Sequence, residues 1–528
     1  MFFKTIEELG APSPDRIVII GGGTLGIYFA VVTARQGREV VLIEAGDESL
    51  GNFSADTFES VGFPHRGIKI GRSKSLGGTS NLWGGQLVEF QRADFAGREW
   101  LPDSKWPITY EEVARHYEPT YRNLGIPAEM LADHDVFKGL KTKVPKFGHG
   151  VELFLTRWLK IPSLAGAFRK ELEENPKIKL LLNHVVTGFS GEGSRITTVL
   201  LLDPQKVEHR IGGSEFILAA GTIEISRILL HAARQTEWPA PWRDNDNVGR
   251  YFQDHIGGRV GEARPIDKRR FLDLFSHIVL RGSKFQPKLR LTNQTLESEH
   301  VLNMHAILHF ESSVSENLVF LKQFVKAALY SRKINGVGEL LRHLVASWRH
   351  LPPLMWRYMI NNRVFVPSGS KISFVLQSEQ TPLRDSRITI DPAKSDAYGL
   401  PKVILDWKLG HEEFPAMKDF AMRCQEALRE SGLADLRILD GLKTQDPAFF
   451  QTLEDNYHHV GGARMGWSAE DGVVDTDLKV FGTDNLYVLG AATFRTASNA
   501  NTTFVALTLA TRLAEKFGSP DIRHWNRS

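Results

Sequence analysis

The sequence predicts an α/β protein carrying an α+β insertion, and three observations predict it. The chain opens on a strand, glycine turn, helix and strand at Arg16–Gly46. The same style returns at Glu215–Ala233 and again at Asn485–Phe517. Between those returns the texture changes: alternating runs such as Ser373–Gln377 and Ser386–Asp391 read as antiparallel strands. A Rossmann-like domain is therefore expected to be discontinuous, with a second domain inserted, built on an antiparallel sheet flanked by helices. At 528 residues the chain is too long for a single core. The expected division is 1–100, 178–258 and 455–528 for the first domain, and 101–177 and 259–454 for the second.

In the opening unit the apolar run Ile17–Ile20 enters Gly21-x-Gly23-x-x-Gly26, with Thr24 in the turn. Gly21 allows the tight strand-to-helix turn, Gly23 lets backbone approach a pyrophosphate, and Gly26 lets the helix pack close to the strand. The helix N-terminus offers free N–H groups and partial positive charge to phosphates. A second apolar run, Val40–Ile43, ends at Glu44, 18 residues after Gly26, where a carboxylate can accept from both hydroxyls of a ribose. Strands, helix and terminal acid together point to an ADP-containing cofactor. An ordinary glycine-rich turn leaves the acid unexplained.

Residues 71–90, GRSKSLGGTSNLWGGQLVEF, have too little apolar periodicity for a helix. Thr109 is a plausible N-cap for a helix over Tyr110–Leu124, and 164–175 reads as helix. Ile178–Leu182 and Arg195–Leu202 read as strands. Glu215–Ala220 is a strand entering Gly221-Thr222 and the helix Ile223–Ala233. Helices are expected around 316–361 and 412–432. Asn485–Gly490 is a strand running into a glycine turn, and Thr503–Phe517 a closing helix.

Composition sets outer limits. Net charge is +3, which makes no case for nucleic acid. Cys424 is the single cysteine, so an internal disulfide framework, a CxxC redox pair and thiolate zinc sites are excluded. The N-terminus has no cleavable apolar core, and no run of about 18 apolar residues could span a bilayer. Cytoplasm is the expected location, with membrane association left open.

Two clusters near the C-terminus carry candidate chemistry. The first is Asn456-Tyr457-His458-His459-Val460-Gly461-Gly462. Adjacent histidines in a glycine-rich, non-helical stretch are hard to explain as core, and histidine suits proton transfer near neutral pH. The bland alternative is a surface or structural pair. The second is Ser498-Asn499-Ala500-Asn501-Thr502-Thr503, ahead of the closing helix. N-capping explains it equally well, and a helix N-terminus also favours nearby negative charge. No third ligand has suitable spacing for a metal, and no acidic cluster adjoins, so no metal is expected.

With these residues in hand, the chain resembles the glucose–methanol–choline (GMC) flavoprotein oxidoreductases over nearly its whole length. The opening unit is similar to their FAD-binding unit, and Leu76–Gly85 to their glycine-rich flavin loop. Trp106–Tyr110, Phe216–Ile223, Asn247–Arg250, Glu379-Gln380, Ser386-Arg387, His458–Gly466, Val473–Asp475, Asn485–Val488 and Asn501–Thr503 match further segments in order. The bacterial sugar- and polyol-oxidising branch related to pyranose oxidase is the nearest in flavour. The resemblance implies oxidation of a CH–OH group of a sugar-like or polyol substrate, with hydride transfer to flavin N5. It implies His458 as base, with His459 as its competitor, and Asn501 on the same substrate oxygen. It implies an FAD site of Gly21, Gly23, Thr24, Gly26, Glu44, Gly77, Gly78, Thr79, Asn81, Trp83, Gly84, Val186, Ala220, Gly221, Gly490, Ala491, Asn501, Thr502 and Thr503. The helix starting near Thr503 would turn its positive end to the flavin pyrimidine ring. Asn81-Leu82 stand where some members carry a linking histidine, so FAD is expected to be non-covalent. Gly490 stands where many members have an aspartate near the phosphates. Oxygen, a quinone or a redox protein would reoxidise the flavin. A non-redox lyase of the same family, a flavin-fold binding protein without turnover and a nicotinamide dehydrogenase are the alternatives.

One segment stays unabsorbed. Residues 318–363 carry eight lysines and arginines against one acid, Glu339, with apolar stripes beside them. Core-packing helices with solvated basic faces are the bland reading. Peripheral contact with anionic membrane and a funnel for anionic substrates are the sharper ones.

Overall fold

The structure, a computed structural model, describes residues 2–3, 6–9, 15–127, 130, 132–311, 356–357 and 360–518. Its organising element is a six-stranded parallel sheet ordered Phe2–Phe3, Ile178–Leu181, Val40–Ile43, Ile17–Ile20, Glu215–Leu218, Leu486–Val488. Three distant stretches of the chain build it. The inner strands are continuous Val/Ile/Leu runs because both faces are covered. Helix Thr24–Arg35 covers one face and packs on helix Thr503–Phe517, where the Tyr28 hydroxyl meets Thr511 Oγ1 at 2.7 Å. Asn485 ties the last strand in: its amide takes the Ile196 N–H and donates to the Ile196 and Ser214 carbonyls.

The inserted part is built on a nine-stranded antiparallel sheet. Its main path runs Ala434–Ile438, Ile256–Pro265, Lys371–Ser378, Met304–Glu311, Ser283–Leu291, Val151–Trp158, Gln86–Leu87. Helix Glu413–Glu430 lies against it and closes a second apolar core around Phe374, Leu376, Met417 and Phe420. One face of the sheet thus meets this core, and the other can carry polar residues.

Expected and observed elements differ where local chemistry intervenes. The helix expected over Tyr110–Leu124 is two, Tyr110–Ala114 and Tyr117–Asn123. Pro119 has no N–H to return to Arg115, four residues back, so the ladder breaks there. Thr109 caps the first piece in a reciprocal box with Glu112. The closing helix and the 412–432 helix fall within two residues of expectation. Of the helices expected around 316–361, residues 316–355 and 358–359 lie outside the described residues, and so does most of the basic segment 318–363. Among the described residues no helix is long and apolar enough to cross a membrane.

Candidate active site

A cavity opens at the carboxyl ends of the parallel strands, the edge where such sheets take ligands. The opening unit lines it with Gly21, Gly23, Thr24 and Glu44. Gly78 and Thr79 come from the glycine-rich loop, Val186 from a neighbouring strand, and Ala220 and Gly221 from the second unit. Gly490, Ala491, Thr502 and Thr503 come from the third, and His459 closes one end. The glycine turn is required by contact: a Cβ on Gly21 would meet Ala220 Cα at 2.7 Å, and one on Gly26 would meet the Gly21 carbonyl at 1.9 Å. Gly23, by contrast, has open space where a Cβ would stand, leaving bare backbone at the helix N-terminus.

Glu44 is buried, with Oε2 accepting from the Gly22 N–H and Oε1 from the Gly46 N–H, both at 2.8 Å. Burial pushes its carboxyl up to about 7, against those two hydrogen bonds and the field of Lys74. A buried acid at the end of the second strand, a bare glycine backbone and the N-terminus of helix Thr503–Phe517 on one cavity fit a dinucleotide bearing ribose and pyrophosphate.

Six residues of the expected cofactor set lie off this cavity lining: Gly26, Gly77, Asn81, Trp83, Gly84 and Asn501. Gly26 acts behind it, at the helix–strand contact. Asn81 is spent on its own loop, donating to Ser75 Oγ and the Leu76 carbonyl and accepting from Ser163 Oγ. That leaves Gly77 no room for a side chain, since its Cβ would stand 2.5 Å from Asn81 Oδ1. Trp83 donates to the Pro162 carbonyl, and Gly84 backs onto the Trp158 ring. These residues shape the loop that presents Gly78 and Thr79. Asn501 belongs instead to the histidine cluster.

That cluster forms because two strands pair. Gln253 and Val460 exchange both backbone hydrogen bonds, at 2.9 and 2.8 Å. The register sets His255 across from His458. The ring nitrogens His255 Nδ1 and His458 Nδ1 lie 2.8 Å apart, and His255 Nε2 is 2.6 Å from the Ser498 carbonyl. A carbonyl only accepts, so His255 carries its proton on Nε2. Its Nδ1 is then a lone pair and takes the N–H of His458 Nδ1. His458 is left with a lone pair on Nε2, 2.7 Å from Asn501 Nδ2, which donates to it. Hydrogen bonding alone therefore assigns both tautomers. Burial, and then the neighbouring His255, lower His458 to about 3, so the ring is neutral at physiological pH.

Asp254 anchors the cluster from below. Its Oδ1 accepts the backbone N–H groups of His255 and His458, at 2.7 and 2.9 Å, and its Oδ2 accepts from His65 Nε2 at 3.1 Å. Burial by itself would raise this carboxyl. The His65 hydrogen bond and the fields of His459, His65 and His458 overcome it and hold the group ionised well below the usual range. His459 turns the other way, its ring against His65 and Phe252, with Nε2 buried and unpartnered 3.7 Å from Asp254 Oδ2. Asn501 Oδ1 is also buried without a partner. Left-handed backbone at Tyr457 (φ 61°), next to His458, and at Ser498 (φ 56°), whose carbonyl accepts from His255, adjoins the cluster, the kind of strain that gathers at functional sites.

A second histidine holds the same loop. His305 Nδ1 donates to the Asn499 carbonyl at 2.5 Å, and its Nε2 accepts from Lys288 Nζ at 3.0 Å. Lys288 also donates to Gln86 Oε1, and burial lowers its ammonium to about 7. Gln286 joins Gln86, and Gln377 joins Asn456, on the polar face of the antiparallel sheet.

The sequence spacing suggested no third metal ligand, and tertiary structure corrects this: Asp254 completes one set with His65 and His459 and another with His255 and His458. Both sets are hydrogen-bonding clusters. His65 accepts the Ile68 N–H at Nδ1, so its Nε2 carries the proton and has no lone pair for a cation. The 2.8 Å between His255 and His458 is shorter than the roughly 3.3 Å that two nitrogens keep on one tetrahedral zinc. Sequence reasoning missed Asp254, His255, His65 and His305. The acid–histidine pair Asp254-His255 was the available signal, but only the pairing with Val460 gives it meaning.

The chain is similar to known proteins. Residues 16–265 match the family described as FAD dependent oxidoreductase, and 382–510 the family described as GMC oxidoreductase. Fructose dehydrogenase large subunit of Gluconobacter japonicus is 22% identical over 64% of this chain and 53% of its own. The chain thus spans about half the length of that relative. Pyridoxine 4-oxidase from Mesorbium loti shares the fold, with TM-score 0.52 and 17% identity over 95% of this chain and 98% of that one. So does an FAD-dependent oxidoreductase from Chaetomium thermophilum, with TM-score 0.57 and 13% identity over 97% and 100%. The chain combines an FAD-dependent oxidoreductase domain with a GMC oxidoreductase C-terminal domain, and its cofactor is FAD.

Proposed function

We propose that this protein oxidises a CH–OH group of a polar, sugar-like or polyol substrate to a carbonyl, with FAD held without a covalent link. The observation that carries the proposal is the hydrogen-bond chain from the Ser498 carbonyl through His255 to His458, which leaves an Nε2 lone pair beside the Asn501 amide. A lone pair and an amide N–H at one point suit one reacting oxygen: His458 takes its proton, and Asn501 donates to it as negative charge develops. FAD, when bound, supplies the acceptor for the hydride that leaves the carbon. His458 enters neutral and leaves the step as an imidazolium, which the ionised Asp254 stabilises through the cluster. Glu44 would hold the adenosine ribose, and Thr502 and Thr503 would offer helix N–H groups to the ring system. The domain division 1–100, 178–258, 455–528 against 101–177, 259–454 goes with this reading. The polar sheet face with Gln86, Gln286, Lys288 and Gln377 favours a hydroxylated substrate over an apolar alcohol.

The test is anaerobic flavin bleaching across sugars, polyols and apolar alcohols. At least one hydroxylated substrate should bleach the flavin, and His458→Ala should slow that step by about two to four orders of magnitude, the usual worth of a general base. His459→Ala should do less. A flavin that no alcohol reduces would remove the oxidoreductase reading, and a larger loss in the His459 variant would move the base to that ring.

A further inference from the structure

A second cleft, of about 700 Å³, lies away from the cofactor cavity, between the loop Gly139–Lys143, helix Lys268–Phe275, Arg357 and the residues 360–363. Six cations line it: Lys141, Lys143, Arg269, Arg270, Arg357 and Arg363. The two acids present are already engaged. Asp267 caps its helix by accepting the Arg270 N–H, and Asp273 pairs with Arg357 at 3.0 Å. Arg363 is buried and, among the described residues, donates to neutral oxygens, the Asp273, Asn361 and Asn362 carbonyls and the Thr142 hydroxyl. Burial lowers it to about 10, so it stays charged at neutral pH. Arg357 Nη2 is buried with no acceptor among the described residues. The local excess of charge exceeds the +3 of the whole chain.

The rim is apolar. Among the described residues thirteen large hydrophobic side chains are well exposed, and four of them line this cleft or stand next in sequence to a residue that does: Trp356 at 62%, Ile360 at 59%, Ile266 at 56% and Val144 at 38%. Trp356, Ile266 and Val144 each adjoin a lining residue in sequence, and Ile360 lines the cleft itself. Cations with unspent donors beside exposed tryptophan and isoleucine form the pattern of a surface that rests on a bilayer: headgroup phosphates meet the guanidinium groups, and the apolar side chains enter the interface. A free anion would need the cations but not the apolar rim. We propose that this cleft and its rim are a peripheral docking surface for anionic phospholipid membrane, independent of the catalytic reading above.

The full-length, FAD-loaded protein should sediment with vesicles of mixed phosphatidylglycerol and phosphatidylcholine at low salt. It should sediment much less at high salt, and scarcely with phosphatidylcholine alone. Lys141→Gln/Lys143→Gln/Arg269→Gln alters exposed side chains with no ion pair among the described residues. It should weaken partitioning by about fivefold per cation removed, with flavin content unchanged. Trp356→Ser should weaken it with little change in salt dependence. No sedimentation with anionic vesicles at low salt would overturn the proposal, as would wild-type partitioning by both variants. Release by inorganic phosphate, but not by chloride at equal ionic strength, would assign the cleft to a soluble anion and overturn it too.

Discussion

Removing His255 should disable His458, the proposed base, while leaving that residue in place. In the wild-type protein the neutral His458 ring has one proton to place, and His255 Nδ1 at 2.8 Å claims it for Nδ1. In His255→Ala that acceptor is gone. His458 then either buries an unpaired N–H or moves the proton to Nε2, where Asn501 can turn its free Oδ1 to receive it. Either way the state with a lone pair facing substrate becomes the costly one. Leaving a buried donor unpaired costs about 1–3 kcal/mol, so the first-order rate of flavin reduction should fall by about 5- to 150-fold. Substrate affinity should change much less, because His255 lies behind His458 and is fully buried. Asparagine at 255 can put its Oδ1 near the position of the imidazole Nδ1, so His255→Asn should recover most of the rate. Stopped-flow reduction under anaerobic conditions, with the flavin spectrum as reporter, separates these variants. Wild-type reduction in His255→Ala would refute the tautomer argument. Equal losses in the alanine and asparagine variants would mean that His255 serves packing alone.

Three further outcomes follow from the same geometry. Glu44→Ala should raise the Kd for FAD by about 10- to 150-fold, the worth of one charge-assisted hydrogen bond, in an apoprotein that still folds; unchanged affinity by fluorescence titration would mean that the carboxylate serves only Gly22 and Gly46. Acid precipitation should release all yellow colour, because the Asn81 amide is neither nucleophilic nor free; coloured pellet would show a covalent link. Stability of the apoprotein should rise with pH between about 4.5 and 6.5. There the folded His458 and His459, near 3, bind fewer protons than the unfolded chain, while Glu44, near 7, binds more and offsets one of them. Urea midpoints should therefore rise more steeply in Glu44→Gln than in wild type, and parallel curves would place the Glu44 carboxyl elsewhere.

Elements specified by short-range pattern were legible in the chain. The glycine fingerprint, the buried Val/Ile/Leu strands and the closing helix Thr503–Phe517 follow from steric need and periodicity within a dozen residues, and the structure keeps them. His458 and Asn501 were legible as candidates because their chemistry is unusual for their surroundings. The protonation state of His458 was not legible, because it depends on atoms that meet only through pairing across some two hundred residues. Asp254 and His255 meet His458 only because Gln253 pairs with Val460. His305 reaches the Asn499 carbonyl, and Lys288 backs His305, from two other strands of the antiparallel sheet. The sequence by itself therefore determined the cofactor framework and the residue types at the site. Tertiary structure alone decided which nitrogen of His458 holds the proton, since a tautomer is set by hydrogen-bond partners, and partners brought together by long-range pairing leave no local trace in the chain.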